Sequence, residues 1–195
     1  IELIYNSLGF EHNYVSLDEV KDVLAGRKEE VDEKKVNLIV NHYQAFDFIL
    51  NLVITKQKFD ENTLKDLHQV LMGKDAHGGL YRNVDISIRG SNHTPPGHIK
   101  VYDRMKKYFL TLEQYEGDTL EMIAYGHLQL AKIHPFLDGN GRCARLVLNY
   151  FLMINGYKPI IVYLNESKTY FNALEEFKVN KNIQPFVEYL EKKVQ

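Results

Sequence analysis

The run His134-Pro-Phe-Leu-Asp-Gly-Asn-Gly-Arg-Cys-Ala-Arg145 concentrates more chemistry than any other stretch of the chain. Gly139 and Gly141 allow backbone angles closed to other residues, so consecutive amides can turn inward as a nest. The nest leads into the start of an apolar helix, whose unpaired amides and positive dipole end favour an anion. Arg142 and Arg145 lie three apart in the first turn, so they share a face and can offer forked donors to the same anion. Basic residues at that position oppose the helix dipole unless an anion compensates them. The combination reads as a polyphosphate cradle. Asp138 beside it would repel phosphate unless a divalent cation sits between them, which points to Mg²⁺. His134 is the residue suited to proton transfer near neutral pH. A base, a metal carboxylate and a phosphate nest suggest phosphoryl or nucleotidyl transfer, and physics alone does not choose between the two. Each piece by itself has an ordinary structural explanation: a capping histidine, surface arginines, a glycine turn. Their coincidence in one short loop outweighs those explanations. The Walker and Rossmann glycine patterns are both absent.

The elements that must position this loop are mainly helical. Apolar positions Leu120, Ile123, Ala124, Leu128 and Ala131 share a face before it, behind a capping signal at Asp118 to Glu121. After it, Leu146, Val147, Leu148, Phe151, Leu152 and Ile154 wrap nearly all sides of a helix that Gly156 closes, so that helix belongs in the centre of the fold. Further helices are predicted over Glu30 to Val53, Asp60 to Met72, His98 to Thr111, Ser167 to Lys178 and Asn182 to Lys193, with a shorter one after a capping box at Ser16 to Glu19. Val84 to Ile88 alternates apolar and polar residues between turn-forming glycines and prolines, which predicts a strand or small hairpin. In so helical a chain that hairpin is a surface flap or a place where a partner strand is expected.

At 195 residues and 22.8 kDa, the chain has material for a single domain with its own core. Its 24 basic and 26 acidic residues give a net charge of -2, less basic than a protein that binds nucleic acid through phosphate neutralisation. Cys143 is the only cysteine, so there is no disulfide framework, and a reducing, cytoplasmic setting fits best. The longest apolar stretch is far short of the ~20 residues that span a bilayer, so no membrane association is expected. The chain opens at Ile1 without a leader-like pattern, and further sequence before Ile1 is expected.

His134, Phe136, Asp138, Gly139, Asn140, Gly141, Arg142 and Arg145 match without a gap the motif of the Fic (Fic/Doc, Fido) family, His-x-Phe-x-Asp/Glu-Gly-Asn-Gly-Arg-x-x-Arg. The resemblance extends to Leu67-His68, Gly79 to Arg82, His93 with Pro95-Pro96, Gly156-Tyr157, Tyr170, Leu174 and Pro185-Phe186. It implies a mainly helical, all-α fold with a small β-hairpin flap at about 79–97. It also implies transfer of AMP from ATP to a Tyr, Thr or Ser hydroxyl of a protein, the acceptor being another protein or the chain itself. By resemblance, His134 is the general base, Phe136 anchors the loop, Asp138 binds Mg²⁺, and the Gly139-Asn140-Gly141 backbone holds the α- and β-phosphates. Asn140 and Arg142 add side-chain contacts, Arg145 takes the γ-phosphate, and Tyr170 walls the adenine pocket. Doc-type phosphotransferases carry Lys where this chain has Gly141.

Ser7-Leu-Gly-Phe-Glu11 resembles the Ser/Thr-x-x-x-Glu inhibitory motif of family members whose inhibitor helix precedes the core. The family continues with Gly or Asn, where this chain has His12 and then Asn13. The resemblance implies that Glu11 faces Arg145, blocks placement of the γ-phosphate, and takes part in the reverse, AMP-removing reaction. It divides the chain into an inhibitory region, 1–28, and a catalytic domain, 29–195. The flap residues Val84, Ile86 and Ile88 are expected to dock an extended target segment by backbone pairing. A same-fold transferase with another nucleotide or phosphoryl donor, and a non-catalytic binding module, stay open as alternatives. So does assembly as a homo-oligomer.

Overall fold

The computed structural model describes residues 1–11 and 15–195; His12 and Asn13 therefore lie outside the described residues. In chain order the helices are α1 (Glu2–Gly9), α2 (Leu17–Leu24), α3 (Glu33–Ile54), α4 (Glu61–Met72), α5 (Val101–Glu113), α6 (Thr119–Ile133), α7 (Asn140–Ile154), α8 (Ser167–Asn180) and α9 (Gln184–Val194). Their starts follow the side chains. The Ser16 hydroxyl accepts the Glu19 amide while Glu19 accepts the Ser16 amide, and Asp32, Asp60 and Asp118 each accept first-turn amides. Pro185 opens α9, where a missing amide hydrogen costs nothing. Among the described residues, no helix is long and apolar enough to cross a membrane.

α7 is the centre. Leu146, Val147, Leu148 and Leu152 are almost wholly inaccessible, and α3, α4 and α6 pack against it. The main core runs from α3 through α9, while Ile4, Leu8, Val15, Val20, Val23 and Ile39 form a second cluster that seats α1 and α2 on α3. That second cluster brings the N-terminal segment against the start of α7.

The loop between α6 and α7 is held at both ends. α6 stops at His134, which adopts a left-handed conformation (φ 53°) with Pro135 behind it. Such angles strain a non-glycine residue by about 1–3 kcal/mol, so surrounding contacts must hold them. Phe136 supplies one: it is fully buried and stacks on the His68 ring, centroids 3.6 Å apart.

The expected β-hairpin is not formed. Among the described residues there is no strand ladder, and the only pairing is an isolated antiparallel bridge between Tyr81 and Phe136. The two arms of the 79–97 segment are drawn to different helices instead. Asp85 accepts the His98 amide at 2.7 Å, and Glu175 of α8 accepts the Ser91 hydroxyl and the Asn92 amide at 2.7 and 2.6 Å. His93 donates to the Lys132 carbonyl of α6 at 3.1 Å. Val84 is exposed, Ile86 and Ile88 are half-buried, and 85–88 has no regular secondary structure and no strand partner among the described residues.

Candidate active site

Arg82 connects the flap to the loop. Its guanidinium is buried without a carboxylate partner and donates to four carbonyls: His134 at 2.9 Å, Val84 at 3.0 Å, Pro96 at 2.5 Å and, more weakly, Ile133 at 3.5 Å. Both arms of the flap and the C-terminus of α6 are thus tied to one side chain, where a cation also suits the negative helix end. The Arg82 amide adds a bond to the Pro135 carbonyl at 2.9 Å.

His134 is half-buried, and its Nδ1 faces the Ala131 carbonyl at 3.3 Å. A carbonyl can only accept, so Nδ1 carries the proton and Nε2 keeps its lone pair. Burial pushes the imidazole down to about 4, with the Lys178 and Arg82 charges acting in the same direction. The His134 imidazole is therefore neutral at physiological pH, with a free lone pair on Nε2.

The structure places Asn140, Gly141 and Tyr170 differently from expectation. The Asn140 side chain does not face the anion site: its Oδ1 accepts the Phe136 amide at 2.9 Å and its Nδ2 donates to the Phe136 carbonyl at 2.8 Å. Gly139 takes the left-handed turn (φ 71°), but Gly141 is helical. A Cβ on Gly141 would lie 3.0 Å from a Glu11 carboxylate oxygen, so glycine leaves room for the close approach of that anion. Tyr170 is not exposed as a pocket wall: it is 2% accessible, and its hydroxyl meets His127 Nε2 at 3.0 Å. Aromatic packing against Phe10, Phe171 and Phe186 places it in the core.

The anion site itself holds an internal carboxylate. Glu11, in the turn after α1, accepts the Arg142 amide at 2.9 Å and the Arg142 Nε. Arg145, the partner expected for Glu11, makes a longer ion pair with it at 3.7 Å and also donates to the Ser7 hydroxyl and carbonyl at 3.0 and 2.8 Å. α1 ends at Gly9, so Ser7 and Glu11 do not lie on one helix, and the turn carries the carboxylate onto the first turn of α7. Both guanidinium groups are buried, and Phe10 covers Arg145 at 5.0 Å from its ring centroid.

Asp138 lies at the open side. Its side chain is 72% exposed and one carboxylate oxygen is 3.4 Å from Arg142. Beside it a cavity of about 300 Å³ is bordered by Asp138, Arg142, Met72 and Asn41. Among the described residues, no three His, Cys, Asp or Glu side chains are grouped to cage a metal. A lone, exposed carboxylate next to an anion site fits a magnesium ion carried in with phosphates, since that ion is usually held by one or two carboxylates plus substrate oxygens.

Three histidines outside the motif support this architecture. His68 Nε2 donates to the Asp138 carbonyl at 2.9 Å while its Nδ1 accepts the Gly79 amide at 3.0 Å; burial lowers its pKa to about 4. His127 Nδ1 donates to the Ala144 carbonyl at 2.9 Å, and burial holds it near 4 as well. His42 is fully buried beneath the arginines, with neither ring nitrogen bonded, and burial followed by the charges of Arg145 and Arg142 pushes it to about 3. Sequence reading assigned none of these three, nor Arg82, to the site. Their partners are mostly backbone carbonyls far away in the chain, which leave no side-chain signature.

Residues 58–152 match the Fic/DOC family model. The chain is a Fic family member. It is 30% identical over 195 residues to the protein named protein adenylyltransferase Fic of Drosophila grimshawi, which it matches over 96% of its own length. It spans only 40% of that relative. In fold it resembles a Fic domain-containing signaling protein from Bacteroides thetaiotaomicron, with TM-score 0.88, 23% identity and coverage of 99% of this chain and 81% of that one. A more distant likeness is to the Bartonella tribocorum BepC protein, solved with AMPPNP bound, with TM-score 0.59, 18% identity and coverage of 84% and 88%.

Proposed function

We propose that this Fic domain is a protein adenylyltransferase that moves AMP from ATP to a hydroxyl side chain of a protein and is restrained by Glu11. The observation that carries the reading is the Glu11 carboxylate on the Arg142 amide and guanidinium, with Arg145 alongside. An anion already sits where the helix start, the two arginines and the missing Cβ of Gly141 favour one. The name of the Drosophila relative and the nucleotide analogue in the BepC structure support ATP as that anion's competitor.

In the reaction proposed, His134 Nε2 takes the proton of the acceptor hydroxyl, whose oxygen attacks the α-phosphorus. The bond from that phosphorus to the bridging oxygen breaks and pyrophosphate leaves. The α7 amides and Arg142 stabilise the charge that develops on the phosphoryl oxygens, and Arg145 holds the terminal phosphate once Glu11 withdraws. Asp138 would hold a magnesium ion brought in with the nucleotide, which would supply charge neutralisation for the leaving group. Val84, Ile86 and Ile88 lie on a segment with no strand partner among the described residues, along which an extended target segment would dock by backbone pairing. Once released from Arg142, the Glu11 carboxylate is also the group suited to orient water for removing AMP.

The test is intact-mass analysis of Glu11→Gly protein incubated with Mg²⁺ and each nucleoside triphosphate separately, with candidate acceptor protein present. AMP transfer adds about 329 Da and phosphoryl transfer about 80 Da. An ATP-dependent gain of the first size, absent when His134→Ala is added, is expected. A gain of the second size would replace the proposal with phosphoryl transfer.

A further inference from the structure

A second charged cavity lies next to the base and takes no part in the reading above. It has a volume of about 550 Å³ and opens between the outgoing arm of the flap, α5, α6 and the end of α8, bordered by His93, Pro96, Arg104, Lys132, Phe177 and Lys181. No acidic residue borders it. Among the described residues, Arg104, Lys132 and Lys181 form no ion pair, and they converge on one cavity whose lining carries no carboxylate. The Lys132 ammonium stands 5.4 Å over the Phe177 ring, and burial, then the charges of Lys181 and Arg104, lower its pKa. Glu175, on the neighbouring turn of α8, is already engaged by Ser91 and Asn92. With a net charge of -2 for the whole chain, general basicity does not account for this concentration of unpaired cations.

Its position says which reactant it serves. Ile133 borders the cavity and directly precedes His134, while Pro96 is on the flap arm that Arg82 ties to Val84. A segment lying along the flap with its hydroxyl at His134 must pass the cavity mouth. The donor's phosphates have their own site at the start of α7, on the Glu11 side of the loop.

We propose that this cavity is a docking subsite for acidic side chains that flank the acceptor hydroxyl, so that the protein prefers acidic segments as substrates. The proposal rests on the adenylyltransferase reading for its acceptor. Carboxylates entering here meet three cations with no competing internal partner, and steering by such a patch is strongest at low salt.

Binding, which needs no transfer, tests it. Two fluorescein-labelled peptides, each with one Tyr, flanked by Glu in one and by Lys in the other, are titrated against the protein at low and high salt. The Glu peptide is expected to bind at least about tenfold tighter, equivalent to about 1.4 kcal/mol, with the preference shrinking at high salt. In Arg104→Glu/Lys132→Glu the preference should vanish while ADP affinity is unchanged; Lys181→Ala, on an exposed residue, should reduce it in part. Equal binding of the two peptides, or a preference that survives charge reversal, overturns the proposal. So does inorganic pyrophosphate binding through Arg104 and Lys132 more tightly than the Glu peptide. Acidic preference without AMP transfer would sink the adenylyltransferase reading alone, and transfer without acidic preference would sink the subsite alone.

Discussion

The Glu11 carboxylate accepts the Arg142 backbone amide at 2.9 Å, so a residue from the N-terminal segment caps the helix that carries both motif arginines. The same carboxylate bonds the Arg142 side chain and lies 3.7 Å from Arg145. Capping, dipole and ion pairing therefore converge on a single side chain. Whatever phosphate occupies this site must displace it.

Removing Glu11 leaves the buried Arg145 guanidinium without a carboxylate and Arg142 with only the exposed Asp138 at 3.4 Å, and breaking a buried pair from one side costs about 3 kcal/mol or more. Glu11→Gly should melt below wild type without nucleotide. Because a phosphate can then take the vacated place, Mg-ATP should raise its Tm by more than it raises that of wild type. Differential scanning fluorimetry with and without Mg-ATP measures both. An equal nucleotide-induced shift in the two proteins would separate Glu11 from the phosphate site.

Asn140 binds the Phe136 amide and carbonyl, so Asn140→Ala should act through stability. Two buried hydrogen bonds and an unpaired Phe136 amide amount to about 1–3 kcal/mol. Chemical denaturation should show that loss. Any fall in nucleotide affinity should be smaller than in Arg142→Ala, which removes a donor from the anion site itself. A fully stable Asn140→Ala with lost ATP binding would restore the phosphate-contact role.

Arg82→Lys keeps the charge but gives up the fork that reaches His134, Val84 and Pro96 together. Nucleotide affinity should be retained, since Arg82 touches neither Arg142 nor Arg145. Transfer to a protein acceptor should fall about tenfold or more through kcat and acceptor KM together, because misplacing a base or an acceptor by about 1 Å can cost 10²-fold. Steady-state kinetics with acceptor and ATP varied separately distinguish this from general unfolding, which would also lower the affinity for ATP.

Acid should unfold the domain early. His42, His68, His127 and His134 are held neutral, with pKa values of about 3 or about 4 in the fold against about 6.5 when exposed. The unfolded chain binds more protons below pH 6.5, so the stability these groups contribute is complete above that value and is lost as pH falls from 6.5 toward 4. Each contributes up to about 1.4 kcal/mol per pH unit in that window. Tm should be flat between pH 7 and 8 and drop steeply between pH 6 and 4.5. The base function of His134 should show no titration near pH 6.5 in kcat.

The helices, their caps and the loop from His134 to Arg145 were legible because local signals agree: aspartate and serine before apolar stripes, proline after α6, glycine at the start of α7. The flap was read as a hairpin from its alternation, but side-chain anchors to Glu175, Lys132 and His98 hold its arms apart. Asn140 was read toward phosphate, although a short amide side chain bonds readily to nearby backbone. Glu11 was matched to Arg145 by family pattern. That ion pair is present at 3.7 Å, but the end of α1 at Gly9 and the depth to which Arg145 reaches Ser7 give Glu11 its closer bonds to Arg142, and neither is written in spacing alone.

The rate of AMP incorporation by Glu11→Gly relative to wild type, at saturating Mg-ATP and followed by intact mass, tests the gating of the site most directly. Arg145→Ala and the double variant serve as controls, and neither should exceed wild type, because they lack the phosphate's anchor. A rise of about tenfold or more in Glu11→Gly is expected, which is about 1.4 kcal/mol of barrier for each tenfold. A rate no higher than wild type would contradict the assignment of Glu11 as the internal occupant that restrains transfer.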